Sequence, residues 1–287
     1  VQAQHAHERV HAPGHAAPAE QHDVLARVRV HGLRDDLARL VMDRLPPGDG
    51  PLLHVAGTKV AGEVAPPGQE SRFTVIDGEI AVVTGDWDFI EEILDALGLA
   101  YDLYDGVWNT SEAAAMLTDI NQVMDYDVIF FNCGAQHFGL MGSYPQIAQN
   151  LVQFVGSGRS LYTSDWAYVY AEFPWPAAID FHGTDNVDPS PKVGNAGSLV
   201  GNVTDPALEA YLGKKQVSIT YDLNMWVVVQ SAAAGTTVHV NSNGMGPLMM
   251  SHVPNGNQGR VLFTTFHNEK QLSADMQNIL FFLVFEL

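Results

Sequence analysis

Cysteine is nearly missing from this sequence: Cys133 is the only one in 287 residues. One thiol makes no internal disulfide and no cysteine-rich metal cage, so packing has to hold the fold together. No apolar run reaches the roughly 18 residues of a membrane span. Basic side chains are scarce too, with 14 Lys and Arg against 33 Asp and Glu and a formal net charge of −19. The deficit is lopsided: residues 1–72 hold 8 basic and 9 acidic side chains, residues 73–287 hold 6 and 24. A surface that negative repels phosphate backbones and anionic lipid. Nucleic acid and membrane insertion are therefore excluded as expectations, and cations or basic protein surfaces are favoured. Also missing are a phosphate loop, a dinucleotide fingerprint, an HExxH motif and any internal repeat.

What is present supports a full core, since 46 % of residues are hydrophobic, and the length suits one sizeable domain with an extension. Residues 1–24 form an arm rich in His, Ala, Pro and Gln with little to bury, disordered unless its own domain or a neighbouring subunit holds it. His7, His11 and His15 would share one helical face and offer a metal site, but Pro13 and Gly14 interrupt that helix. Residues 25–77 read as a small mixed module: a strand, a helix with Leu33, Leu37, Leu40, Val41 and Leu45 at helical spacing, then short strands with Gly and Pro turns. The chain begins with Val1, which fits either a removed export signal or a trimmed chain. The expectation adopted is an exported protein, periplasmic or extracellular.

From residue 78 strand and helix alternate. A buried strand, a Gly-Asp turn and a helix carrying Phe89, Ile90, Ile93, Leu94 and Leu97 on one face give a first βα unit. A helix at about 111–124, the strand "YDVIFFN", a helix opened by Pro145 and the strand "SLYTS" follow. Such alternation predicts right-handed crossovers and a mostly parallel sheet with helices on both faces. A β-rich insertion comes next, containing a short helix with Asp205 as N-cap, Pro206 at its first position and Gly213 as its stop. The chain closes with a strand and a helix that faces inward through Met276, Ile279, Leu280, Leu283 and Val284.

Three segments, "YDVIFFNCG", "FVGSGRSLYTSDWAY" and "GRVLFTTFHNE", resemble the class I glutamine amidotransferase-like superfamily, especially its ThuA-like and non-catalytic relatives. The resemblance spans about residues 78–287. It implies a nucleophilic cysteine on a tight elbow after "SLYTS", where this sequence has Ser164, Asp165 and Trp166 and lacks both the cysteine and the flanking glycines. Thiolate glutamine hydrolysis is therefore not expected. Cys133 falls one strand earlier, with His137 the only basic group near it in sequence, and is read as a small buried residue at a strand end.

Ligands of open parallel sheets bind beyond the carboxyl ends of the strands. Asp86, Asp88, Asn132, Cys133, Ser164, Asp165, His267, Asn268 and Glu269 should converge there, with Trp166 beside them. Carboxylates with one histidine suit a divalent cation held through oxygen ligands, or a general base acting on water. Each also has a structural reading: N-caps for Asp86, Asp88 and Asp165, and a hydrogen-bonded structural histidine for His267. Ser164 as a nucleophile with His267 lacks the glycine-flanked elbow. Trp166, Tyr168, Tyr170, Phe173 and Trp175 offer either a sugar-stacking platform or core packing. Asp185 and Asp188 lie in a polar loop with no EF-hand arrangement and are weak calcium candidates.

The fold expected is therefore α/β, a flavodoxin-like sheet with helices on both faces, a β-rich insertion and a small N-terminal α+β extension. The first functional reading is a non-catalytic, exported binding or structural module that self-associates through its arm into a homo-oligomer or filament and takes a carbohydrate or small-molecule ligand. The alternative is a metal-assisted hydrolase or sugar-modifying enzyme using Asp165 and His267.

Overall fold

The computed structural model describes residues 53–55, 58–63, 72–76, 79–97, 99–135, 140, 142–183, 191–254, 259–267 and 273–286. His7, His11, His15, Asp185, Asp188, Asn268 and Glu269, and the helix expected over 33–45, lie outside these residues. In the N-terminal extension, β1 (Leu53–Val55), β2 (Thr58–Glu63) and β3 (Arg72–Ile76) form an antiparallel sheet in that order.

The central strands are β4 (Ile80–Val83), β5 (Asp102–Tyr104), β6 (Val128–Phe131), β7 (Ser160–Ser164) and β14 (Val261–Thr264). All are parallel, in the spatial order β14-β7-β6-β4-β5. Counted along the chain this is 2-1-3-4-5, the flavodoxin-like order. Strands β4, β6, β7 and β14 are buried along their whole length, because helices cover both faces and alternate side chains enter different cores. Ile80, Val82, Val128, Phe130, Tyr162 and Leu262 meet α1 (Ile90–Leu97) through Ile90, Ile93 and Leu94, and α6 (Ala274–Glu286) through Met276, Ile279, Leu280 and Leu283. On the other face Ala81, Val83, Ile129, Phe131, Leu161 and Phe263 meet α2 (Ser111–Thr118) and α4 (Tyr144–Gly156), the latter through Ile147, Leu151 and Phe154.

The expected helix over 111–124 is two pieces, α2 and α3 (Ile120–Val123). Asp119 between them is extended (φ −100°, ψ 110°) and its side chain accepts the Asn121 N–H, so the residue that would continue one helix caps the next. Apolar spacing carries across the break, which is why periodicity alone reads the segment as continuous.

Between β7 and β14 the chain inserts an antiparallel wing, β10 (Gln216–Tyr221), β9 (Gly197–Val203), β12 (Thr237–Ser242) and β13 (Gly246–His252), which joins β14 to make a nine-stranded sheet. Alternate residues of β10, namely Val217, Ile219 and Tyr221, are buried, as one-sided burial requires. A separate ribbon pairs β8 (Ile179–Phe181) with β11 (Val229–Ala232) and packs into the second core.

The wing's helix α5 (Pro206–Leu212) has the expected ends: Asp205 accepts the Ala207 N–H and Gly213 adopts φ 67°. Asp205 also meets Nδ1 of the buried His239 at 2.6 Å, and His239 Nε2 lies 2.8 Å from Ser251 Oγ. The histidine contact, reinforced by the backbone donors, holds the Asp205 carboxyl below the usual carboxylate value. A depressed pKa stabilises the fold fully above the unfolded value of about 3.9 and stops doing so as pH falls through the folded one. Wild type should accordingly be more stable than Asp205→Asn at pH 6, with its lead shrinking below about pH 4. Urea midpoints of both proteins measured across that range check this; a lead that does not change with pH contradicts it.

Candidate functional site

Register brings the site together. Phe131 pairs with Thr163 and Ser164 with Thr264 across adjacent parallel strands, so the residues just beyond β6, β7 and β14 leave the sheet side by side. The Cys133 N–H donates to Ser164 Oγ at 3.0 Å, and the Ser164 hydroxyl donates to Asp88 Oδ2. Asn132 donates through Nδ2 to the Asp88 carbonyl at 3.0 Å and to Glu91 Oε2 at 2.8 Å. Burial, outweighing the Asn132 hydrogen bond, raises the Glu91 pKa. Asp88, Asn132, Cys133, Ser164 and Asp165 are buried, while Asp86 faces solvent. Ser164 therefore directs its proton to Asp88 and not to His267.

Asp165 is the pivot. Ser164 is still extended (φ −122°, ψ 138°), and the chain then turns abruptly into a short 3₁₀ helix, Asp165–Tyr168, with Asp165 at φ 43°. The sharp turn thus exists without glycine, against the expectation from the missing elbow glycines. Aspartate is one of the few residues that visits the left-handed region readily, and such a backbone still costs on the order of 1–3 kcal/mol. What offsets this is anchoring: Asp165 Oδ1 accepts the Val227 N–H at 2.6 Å, and Trp166 Nε1 donates to the Met225 carbonyl at 2.7 Å. Met225 is the other non-glycine residue with positive φ among the described residues, at 78°. A strap from the β-rich insertion therefore clamps the elbow, and it is itself fixed by Trp226, whose ring stacks on Tyr221 at 4.1 Å and whose Nε1 donates to the Asn195 carbonyl at 2.9 Å.

The second carboxylate oxygen of Asp165 points to the other strand ends. Its Oδ2 lies 3.5 Å from Cys133 Sγ and 3.5 Å from His267 Nε2. All three ligand atoms fall within 4.8 Å of one another, the one such group of three or more among the described residues. Full burial, followed by the Asp165 charge, pushes the Cys133 thiol well above its ordinary pKa. The thiol is protonated at neutral pH and is no nucleophile there.

Several expected contributors are placed elsewhere. Tyr168 and Tyr170 are core residues and not part of an exposed sugar platform: Tyr170 stacks on Phe131 at 3.9 Å and Tyr168 packs on Phe181 at 4.8 Å. Phe173, Trp175 and Trp166 are partly buried against the same core. The sequence places Cys133 among the converging strand-end groups but reads it as a packing residue; its direct contact with the Asp165 carboxylate is what that reading lacks. The signal was there, since adjacent parallel strands ending in step put residues two past Phe131 and Thr163 next to each other. The Val227 anchor had no such signal, because it comes from a strap 62 residues away.

No protein-family model matches the chain, and no curated protein is similar to it. Among solved structures it is similar to a putative GMP synthase protein from Thermoplasma acidophilum, at 12 % identity and TM-score 0.50, over 73 % of this chain and 92 % of that one. It is also similar to a glutamine amidotransferase from Thermotoga maritima, at 10 % identity and TM-score 0.43, over 66 % of this chain and 75 % of that one. At such identity the likeness concerns the fold and not the chemistry. With the 2-1-3-4-5 strand order already established, it follows that this chain has a flavodoxin-like α/β fold similar to that of the Thermoplasma protein.

Proposed function

We propose that the chain is a non-catalytic binding or structural module on an amidotransferase-like scaffold, in the manner of the ThuA-like relatives, and that it self-associates through its N-terminal arm. One observation carries the first part: the elbow holds Asp165, tied through Oδ1 to Val227, while the only thiol sits one strand away, buried and protonated. Glutamine hydrolysis by thiolate then has no nucleophile at the position where the fold presents one. The five histidines of the arm, His5, His7, His11, His15 and His22, support the second part: residues 1–24 hold one Arg against three Asp and Glu, so protonated histidines are what would draw the arm to residues 73–287, which carry −18 of the net −19. A His-bearing arm meeting a strongly acidic domain of the next copy is a head-to-tail contact, which extends unless it closes into a ring.

One preparation tests both parts. Incubated with glutamine, the protein is expected to release no more ammonia than Cys133→Ala; release that depends on Cys133 refutes the non-catalytic reading. In light scattering the full chain is expected to show assemblies that a chain lacking residues 1–24 does not, and equal masses refute the arm as the contact. The approach of His267 to Asp165 at 3.5 Å favours a second reading, a metal-assisted hydrolase.

A further inference from the structure

The Asp165 carboxylate is buried at the turn that follows β7. The residue is 3 % exposed, yet its two oxygens are treated very differently. Oδ1 has a strong backbone donor at 2.6 Å. Oδ2 accepts from the Cys133 thiol at 3.5 Å, an ordinary distance for so weak a donor, and lies 3.5 Å from His267 Nε2, beyond the roughly 2.7–3.2 Å of a good N–H···O bond. Burying a carboxylate oxygen with so little compensation is costly unless a cation completes the site.

The spacing matches a particular kind of cation. A tetrahedral zinc-like ion bonds sulfur at about 2.3 Å and histidine nitrogen or carboxylate oxygen at about 2.0–2.2 Å, which sets its ligand atoms roughly 3.3–3.6 Å apart. Sγ to Oδ2 and Oδ2 to Nε2 are both 3.5 Å, and the third pair closes within 4.8 Å. The donor set is one sulfur, one imidazole and one carboxylate, which suits Zn²⁺ or Co²⁺ and not the all-oxygen shells of Ca²⁺ or Mg²⁺. Each ligand sits just past a different central strand, β6, β7 or β14, so the sheet itself fixes their separation.

We infer that Cys133 Sγ, Asp165 Oδ2 and His267 Nε2 form a three-ligand site for a zinc-type divalent cation, with a fourth position left for water or a ligand's donor atom. On binding, the Cys133 thiol gives its proton to solvent; thiolate and carboxylate together then neutralise the ion's two charges, and histidine binds neutral. This specifies the ligand of the strand-end residues and rests on reading the chain as a binding module. The outcomes separate: Cys133-dependent ammonia release sinks the non-catalytic reading whatever metal is bound, while failure to bind metal through sulfur sinks only the metal site.

The test is Co²⁺ titration of the chelator-stripped full chain. The five histidines of the arm, His5, His7, His11, His15 and His22, also take cobalt, but Cys133 is the only cysteine. A thiolate-to-cobalt charge-transfer band in the near ultraviolet therefore reports this site alone. The band is expected to saturate at one equivalent, to be bleached by Zn²⁺, and to be absent in Cys133→Ser. Asp165→Asn and His267→Ala should each weaken cobalt binding read at that band by about tenfold or more. Circular dichroism confirms that each variant is folded; should Cys133→Ser unfold, His267→Ala carries the comparison. No sulfur band at saturating Co²⁺, or a band indifferent to both Asp165→Asn and His267→Ala, overturns the assignment.

Discussion

A methyl group added at Gly85 is expected to destabilise the protein by about 3 kcal/mol, at the upper end of what overpacking costs. Gly85 lies in the turn after β4, against the backbone that leaves β6. A Cβ there would stand 1.9 Å from the Cys133 carbonyl oxygen and 2.8 Å from that of Asn132. Neither atom belongs to a flexible side chain, so the strain cannot be relieved by a rotamer change. The strand end carrying Cys133 has to move, and with it the bond from the Trp87 N–H to that same carbonyl. Urea unfolding of Gly85→Ala measures the loss; a shift below about 0.5 kcal/mol, the scale of an ordinary surface substitution, would show that the two turns do not meet as described.

The second large effect is expected at Phe131, the last residue of β6. Its ring is fully buried and stacks on Tyr170 at 3.9 Å, and the Tyr170 hydroxyl donates to the Ala135 carbonyl in the loop beyond Cys133. Phe131→Ala removes the ring and leaves a cavity under that loop, at an expected cost of about 3–5 kcal/mol. For a chain of this size that lowers Tm by on the order of 10 °C. Calorimetry checks it, and a drop of only about 1–2 °C, well under that expectation, would mean that the second core closes over the gap. Phe131 is a packing residue, so cobalt binding by whatever protein stays folded should change far less than in His267→Ala.

Much of the architecture was legible because its signals are local. Strand segments buried on both faces read as near-continuous apolar runs, as 80–83, 128–131 and 261–263 are, while 160–164, Ser-Leu-Tyr-Thr-Ser, is legible from its place after a helix and a Gly-rich turn. Asp205, Pro206 and Gly213 carried both ends of their helix by side-chain and backbone chemistry alone. The shorter or mixed strands, β5, β8, β9 and β13, were not read as strands, since their burial depends on partners distant in sequence. At the site, the candidates Asp88, Asn132, Ser164, Asp165 and His267 do gather at the carboxyl ends of the strands. Their pairing was not legible. Whether Ser164 turns to Asp88 or to His267, and whether Cys133 faces core or carboxylate, depends on the left-handed backbone at Asp165, a conformation that sequence pattern does not announce.

The wing inserted between β7 and β14 has a consequence for how the molecule comes to exist. Val261 pairs with Leu161, so this one parallel pairing closes a loop of a hundred positions that contains the whole wing. Closure entropy grows only slowly with length, but contacts so remote in sequence belong to the slow part of any folding trajectory. β4 and β6, by contrast, pair across about fifty positions, Ile80 to Val128. Cys133 and Asp165 stand on neighbouring strands of the more local pairings, whereas His267, delivered by β14, joins them only when the hundred-position pairing forms. The three-residue centre is therefore complete only in a chain whose most remote central pairing has closed.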